Sequence, residues 1–182
     1  MLDIATAYNK YAFLGNDFLT WLWFMIETGQ NIADTIKSKD PVTLEIGNSL
    51  VLENTLGDKS KEKITIKGDQ AGLEEGTTAL KKGAKVTEMN LICRLGPEEE
   101  YRFTIKGDSF NITGLKTPAA AGDGSDDEIE GRVIEKALLL FRISQFIDTL
   151  FFTFLAQRID DDWKNKGLEP IRTWIHNDEN RV

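Results

Sequence analysis

Nine consecutive residues, Phe18 to Ile26 (FLTWLWFMI), contain one polar side chain, Thr20. A run this apolar must leave water, into a bilayer, another subunit or the chain's own core. Nine residues fall short of the ~20 that cross the hydrocarbon layer. No basic segment precedes the run and Asn16 and Asp17 stand directly ahead of it, which argues against a secretory leader. At roughly 100° per residue, Asn16, Thr20 and Glu27 fall on one narrow stripe with Asp17 at its edge. Leu14, Phe18, Leu19, Trp21, Leu22, Met25 and Ile26 cover the rest of the wheel. The spacing predicts a buried helix, capped at Gly15-Asn16-Asp17 and stopped at Gly29.

After "NIADTIKSKDP", a turn or short helix closed by Pro41, the period changes from helical to alternating. Val42, Leu44 and Ile46, then Leu50 and Leu52, flank Gly47-Asn48, and this pattern reads as a hairpin. "KEKITIKGD" adds a strand with Ile64 and Ile66 on one face. "AGLEEGTTALKKG" reads as a short helix with Gly83 at its C-terminal end. "AKVTEMNLICRL" is a longer strand, and "YRFTIKGDSFNITGL" supplies one or two more, with Tyr101, Phe103 and Ile105 inward. Turns this short permit only antiparallel pairing. "TIKGD" occurs at Thr65–Asp69 and Thr104–Asp108, and a recurrent strand end explains it.

"KTPAAAGDGSDDE" is the one clear linker. A helix follows from Ile129 to about Arg158, with Ser125, Asp126 and Asp127 suited to its positive end. Its wheel is apolar over most of its circumference, which predicts burial. Glu135, Arg142, Gln145 and Asp148 interrupt it too often for a membrane span, so no membrane partner is expected. A last helix, Glu169 to Ile175, carries Pro170 near its start and Trp174 inward. The expected architecture is one α+β domain. It comprises a helical segment 1–40, a mainly β segment 41–117 with one short helix, a linker 118–128 and a helical segment 129–182. Its antiparallel sheet has about five or six strands, packed by the N-terminal apolar helix and the long C-terminal helix.

Residue counts narrow the chemistry. One cysteine, Cys93, and one histidine, His176, exclude an internal disulfide and a Cys/His zinc site. His176 sits in the polar run "HNDENRV", and Cys93 alternates with Met89, Leu91 and Leu95 as a small core residue. The acidic runs Asp126–Glu130 and Asp160–Asp162 lack the spacing of a calcium loop, so no metal or other cofactor is expected. Phosphate-loop, dinucleotide, nucleophile-elbow and zinc-protease signatures are missing, and no catalytic residue is assigned. Asp148 falls among Ile134, Ala137, Phe141 and Leu155, with Ser144 one turn earlier. A carboxylate there predicts a buried structural contact with an arginine, or with Thr20 and a tryptophan N–H.

The formal charge of −8 disfavours indiscriminate binding to polyanions. Lysine is nevertheless concentrated: Lys59 to Lys85 holds seven lysines against four acids, net +3, and the remainder is −11. Lys63, Lys67, Lys81, Lys82 and Lys85, joined by Arg94, Arg102 and Lys106, form the candidate contact set for a phosphate backbone. "LKKGAK" also suits the negative end of a helix without any ligand.

The blocks "FLGNDFLTWLWFMIE", "VTLEIGNSLVLEN", "ALKKGAKVTEMNL" and "FTIKGDSFNITGLKTP" resemble, in order and spacing, the C-terminal half of RdgC-like recombination-associated proteins of bacteria. The resemblance covers residues 13 to about 118, and "WKNKGLEPIRTWI" is compatible with it. It implies a non-enzymatic module that binds double-stranded DNA within an assembly, and the single cysteine fits a reducing interior such as the bacterial cytoplasm. That assembly would be a homo-oligomer, or would include an N-terminal half encoded separately. The competing class is a structural or protein-interaction domain without DNA binding.

Overall fold

In the computed structural model, residues 13–56, 60–67, 73–119 and 126–176 are described. The apolar run forms helix α1, Phe13–Glu27. It ends at Gly29, whose φ of 63° is the left-handed geometry a helix terminus favours. A single helical turn, α2 (Ile32–Thr35), follows, with the Asn31 side chain accepting from the Asp34 N–H. Five strands come next: β1 (Val42–Leu56), β2 (Ser60–Lys67), β3 (Lys85–Leu95), β4 (Glu99–Lys106) and β5 (Ile112–Lys116). Helix α3 (Leu73–Lys81) lies between β2 and β3. Helix α4 (Asp126–Arg158) leads through a π-helical turn at Lys164–Leu168 into α5 (Glu169–His176). The sheet is wholly antiparallel in the order β2-β1-β3-β4-β5.

Alternation along the strands divides the sheet into two faces. Leu44, Leu50, Leu52, Ile66, Val86, Met89, Leu91, Cys93, Leu95, Tyr101, Phe103 and Ile105 point to one face and are buried. The helices pack on that face, giving a two-layer α+β architecture. Burial pushes the Cys93 thiol from its ordinary 9.0 up to about 12. A thiol held in its neutral form is a poor nucleophile. Cys93 should therefore resist a disulfide reagent at pH 8 in the native chain and react at once in denaturant; fast native labelling would contradict this packing. The shift adds stability below the unfolded thiol's pKa, and that contribution is lost as pH rises from about 9 towards 12.

Three expectations are corrected. Gly47-Asn48 is not a hairpin turn: Val42–Leu56 is one strand whose pairing with β3 slips between Ile46 and Leu50. The slip is a bulge filled by Asn90. The Asn90 side chain accepts from the Asn48 N–H and donates to the Phe103 carbonyl and the Thr104 hydroxyl. A Cβ at position 47 would overlap the Asn90 side-chain oxygen, so glycine admits the side chain rather than reversing the chain. Gly15-Asn16-Asp17 is not a cap, because α1 already runs through it. Gly15 instead lies directly on the Gly107 backbone at the end of β4.

The third correction concerns α4. Its C-terminal half packs as expected, with Ile143, Phe146, Ile147, Leu150 and Phe154 buried. Its N-terminal half leaves Ile129, Val133, Ile134, Leu138 and Phe141 between 49% and 64% exposed. Asp148 and Ser144 are exposed too, so the expected buried contact with Thr20 does not exist. The Ser144 hydroxyl donates to the Leu140 carbonyl (2.8 Å) and that of Thr20 to the Asn16 carbonyl (2.9 Å). The Trp21 N–H finds Gln157 instead, at 3.1 Å. The sheet is too short to cover a 33-residue helix, which at ~1.5 Å per residue is about 50 Å long.

Candidate nucleic-acid interface

Among the described residues no helix packs on the outward face of the sheet, and on it the register assembles most of the candidate cations. Lys63 lies opposite Glu53, which in turn lies opposite Lys85. Lys67 faces Ser49 on β1, Lys106 faces Glu88 on β3, and Arg102 faces Ile92. Arg94 alternates with the inward Cys93 and Leu95 and so shares the same face. Six of the eight candidates are therefore brought together across β2, β3 and β4. Lys81 and Lys82 are not: they end α3 in the helical layer, where Lys82 borders Glu62, Glu74 and Glu75. There they stand at the negative end of the helix.

Four carboxylates share the outward face: Glu45, Glu53, Glu88 and Glu100. Arg94 bridges Glu45 (2.5 Å) and Glu100 (2.9 Å), and Arg102 binds the other oxygen of Glu100 (2.8 Å). These two guanidiniums hold the Glu100 carboxyl below its usual range, Arg102 most strongly. The Glu45 contact holds Arg94 above its ordinary value. Lys63 reaches Glu88 at 3.4 Å. Exposed pairs of this kind contribute little stability. They link β1, β3 and β4 across the outward face through Glu45, Arg94 and Glu100. Lys67, Lys85 and Lys106 make no ion pair among the described residues.

Between the charged rows lies an uncharged band formed by Ser49, Asn90, Thr104 and Thr113. Among the described residues no aromatic side chain stands on this face, so these residues offer cations and hydroxyls but no platform for unstacked bases. Periodicity marked each strand's outward residues; which strands are neighbours, and hence which cations meet, came only with the sheet order.

Elsewhere the polar contacts are structural. Tyr101 donates to Glu99 (2.8 Å), and Arg142 reaches both Glu99 (2.7 Å) and Asp40 (3.4 Å). This chain ties α4 to β4 and to the α2–β1 connection. Burial pushes the Tyr101 hydroxyl upward, helped by Glu99. Among the described residues no three His, Cys, Asp or Glu side chains cluster as a metal site. The segment Ile129–Arg158 of α4 is long and apolar enough, by length and composition, to cross a membrane. What the fold and this face define is an α+β module with an open, cation-bearing antiparallel sheet. Comparison with protein-family models, curated proteins and solved structures returned no match.

Proposed function

We propose that this chain is a non-enzymatic module that lays the outward face of its sheet against the phosphate backbone of double-stranded DNA, within an assembly. One observation carries the reading: six cations from separate strands converge on one uncovered face of a chain whose net charge is −8. The bound arginines give that face its shape, and Lys67, Lys85 and Lys106 are the charges available to displace counterions. The lack of aromatic residues on the face among the described residues favours backbone contact over single-strand stacking. The recombination link implied by the resemblance and the cytoplasmic setting that suits a single cysteine belong to the same reading. In it α4 contacts protein, not lipid.

A titration of labelled duplex DNA at 50 and 200 mM salt tests the proposal. Three phosphate contacts predict a loss of affinity of roughly forty-fold between the two, from a slope of about −0.9 per contact. Lys67→Glu with Lys106→Glu should abolish binding at the lower salt, whereas Lys82→Glu should leave it unchanged. Absence of binding at 50 mM, or equal effects of the two sets, rejects this face. The alternative, a protein-interaction domain without DNA binding, is favoured by the uncovered apolar surface of α4 and would follow from that outcome.

A further inference from the structure

Strand β5 (Ile112–Lys116) ends the sheet, and among the described residues no strand pairs with its outer side. The N–H and C=O groups on that side are a template for one more strand. Beside this edge lies a groove of about 740 Å³ between residues 115–119 and α4. Leu115 and Lys116 are consecutive in β5 and so point to opposite faces, yet both line the groove. It therefore opens at the sheet's free edge. Leu115, Pro118, Ile129, Val133 and Leu140 give it an apolar wall, and Lys116, Arg132 and Lys136 add three cations. All three cations are exposed, and none has an ion pair or hydrogen bond among the described residues. No carboxylate lines this groove among the described residues. By contrast, Arg142 meets Asp40 in a second groove, and Lys82 stands among Glu62, Glu74 and Glu75 in a third.

We infer that this edge binds an extended acidic peptide segment of a partner protein, added to β5 as a sixth strand. Its apolar side chains lie on the groove wall and its carboxylates meet Lys116, Arg132 and Lys136. The unpaired edge selects an extended backbone, because only a strand can continue the ladder. The uncompensated cations select acidic side chains, and the apolar wall selects aliphatic ones between them. Spacing agrees with both: Arg132 and Lys136 stand one helical turn apart, ~6 Å along α4, and alternate side chains of a strand recur at ~6.8 Å. From Ile129 to Leu140 the helix runs ~16 Å, which is the length of about five strand residues. A bound helix would leave β5 unpaired, and duplex DNA would leave the apolar wall without a partner. Gly114, at φ 63°, makes the edge irregular, so the ladder is short and the groove has to supply the selectivity.

The inference does not rest on the DNA reading, and its test contains no nucleic acid. The probe is a fluorescent peptide of alternating glutamate and valine, seven residues long, titrated with the full chain at about 50 mM salt, where charge is weakly screened. It should bind, and the same peptide with lysine for glutamate should not. Reversing three charges, Lys116→Glu with Arg132→Glu and Lys136→Glu, should weaken binding by about tenfold or more. All three side chains are exposed, so thermal unfolding of this variant should stay cooperative. Lys67→Glu with Lys106→Glu, on the sheet face, should leave the peptide's affinity unchanged. N-methylation of alternate peptide residues removes the ladder donors and keeps the charge, and it should also weaken binding by about tenfold. Amide exchange in β5 should slow on binding. Failure of the glutamate peptide to bind, or equal affinity in the triple variant, overturns the inference. Undiminished binding of the N-methylated peptide overturns strand addition, and loss confined to the Lys67 and Lys106 variant moves the peptide to the sheet face and overturns the groove.

Discussion

Replacing Phe18 by alanine should cost about 3–5 kcal/mol, the range for deleting a buried aromatic side chain. Phe18 is fully buried and lies within 5.4–6.0 Å, centroid to centroid, of Trp21, Phe110, Phe151 and Phe154. These rings come from α1, the β4–β5 connection and α4, so the cavity would open where three parts of the fold meet. Rings on separate elements cannot easily collapse into it, which places the expected loss high in the range. For a chain of this size each kcal/mol lowers the melting temperature by ~2–4 °C, so a fall of roughly 10 °C or more is expected. Ile159→Ala is the control: Ile159 is 81% exposed and its loss should stay within about 0.5 kcal/mol. Similar melting temperatures for the two variants would refute this account of the core.

The second large effect is a contrast of sign between two identical substitutions. Gly15→Ala and Gly131→Ala both place alanine inside a helix, where it is favoured by ~1 kcal/mol over glycine. At Gly131 a Cβ meets nothing, so that gain should appear in the measured stability. At Gly15 the Cβ would overlap the carbonyl of Gly107, a backbone group that cannot rotate away. Gly107 is itself held by its N–H bond to the Thr87 carbonyl at 2.7 Å. Either α1 lifts off the sheet or the end of β4 moves, and overpacking of this kind costs about 1–3 kcal/mol or more. Chemical denaturation of both variants reads the result directly: one midpoint should rise and the other fall. If both rise, α1 does not sit on Gly107.

Other features of α1 follow from the same packing. Trp21 and Trp23 are both buried within the single chain, Trp23 edge-on to Trp174 at 5.3 Å. The polar stripe of α1 is mostly used internally: Thr20 bonds along its own helix and Asp17 lies 3.8 Å from Arg158. Burial raises the Asp17 carboxyl pKa, with Arg158 and Lys85 opposing the shift. Only Glu27 is exposed. The apolar pattern therefore foretold burial correctly, and the polar residues were absorbed at the contact with β4 and α4.

Strong periodicity was legible without coordinates. The alternation in "KVTEMNLICRL" and "YRFTIK" determined which side chains enter the core, because a strand's two faces are set by its pleat. The all-round apolar character of α1 determined that it would be covered. Gly47-Asn48 was misread because the residues that suit a tight turn also suit a bulge; whether a chain reverses there depends on a neighbour, here Asn90 of β3. Asp148 was misread for a related reason. A helical wheel reports how much of a helix is apolar, not how much apolar surface exists elsewhere to meet it. Local pattern, a property of adjacent residues, determined the elements and their inward faces. Only the tertiary structure decided that six cations share an open surface and that half of α4 lies beyond the sheet's reach, because both depend on which distant segments become neighbours.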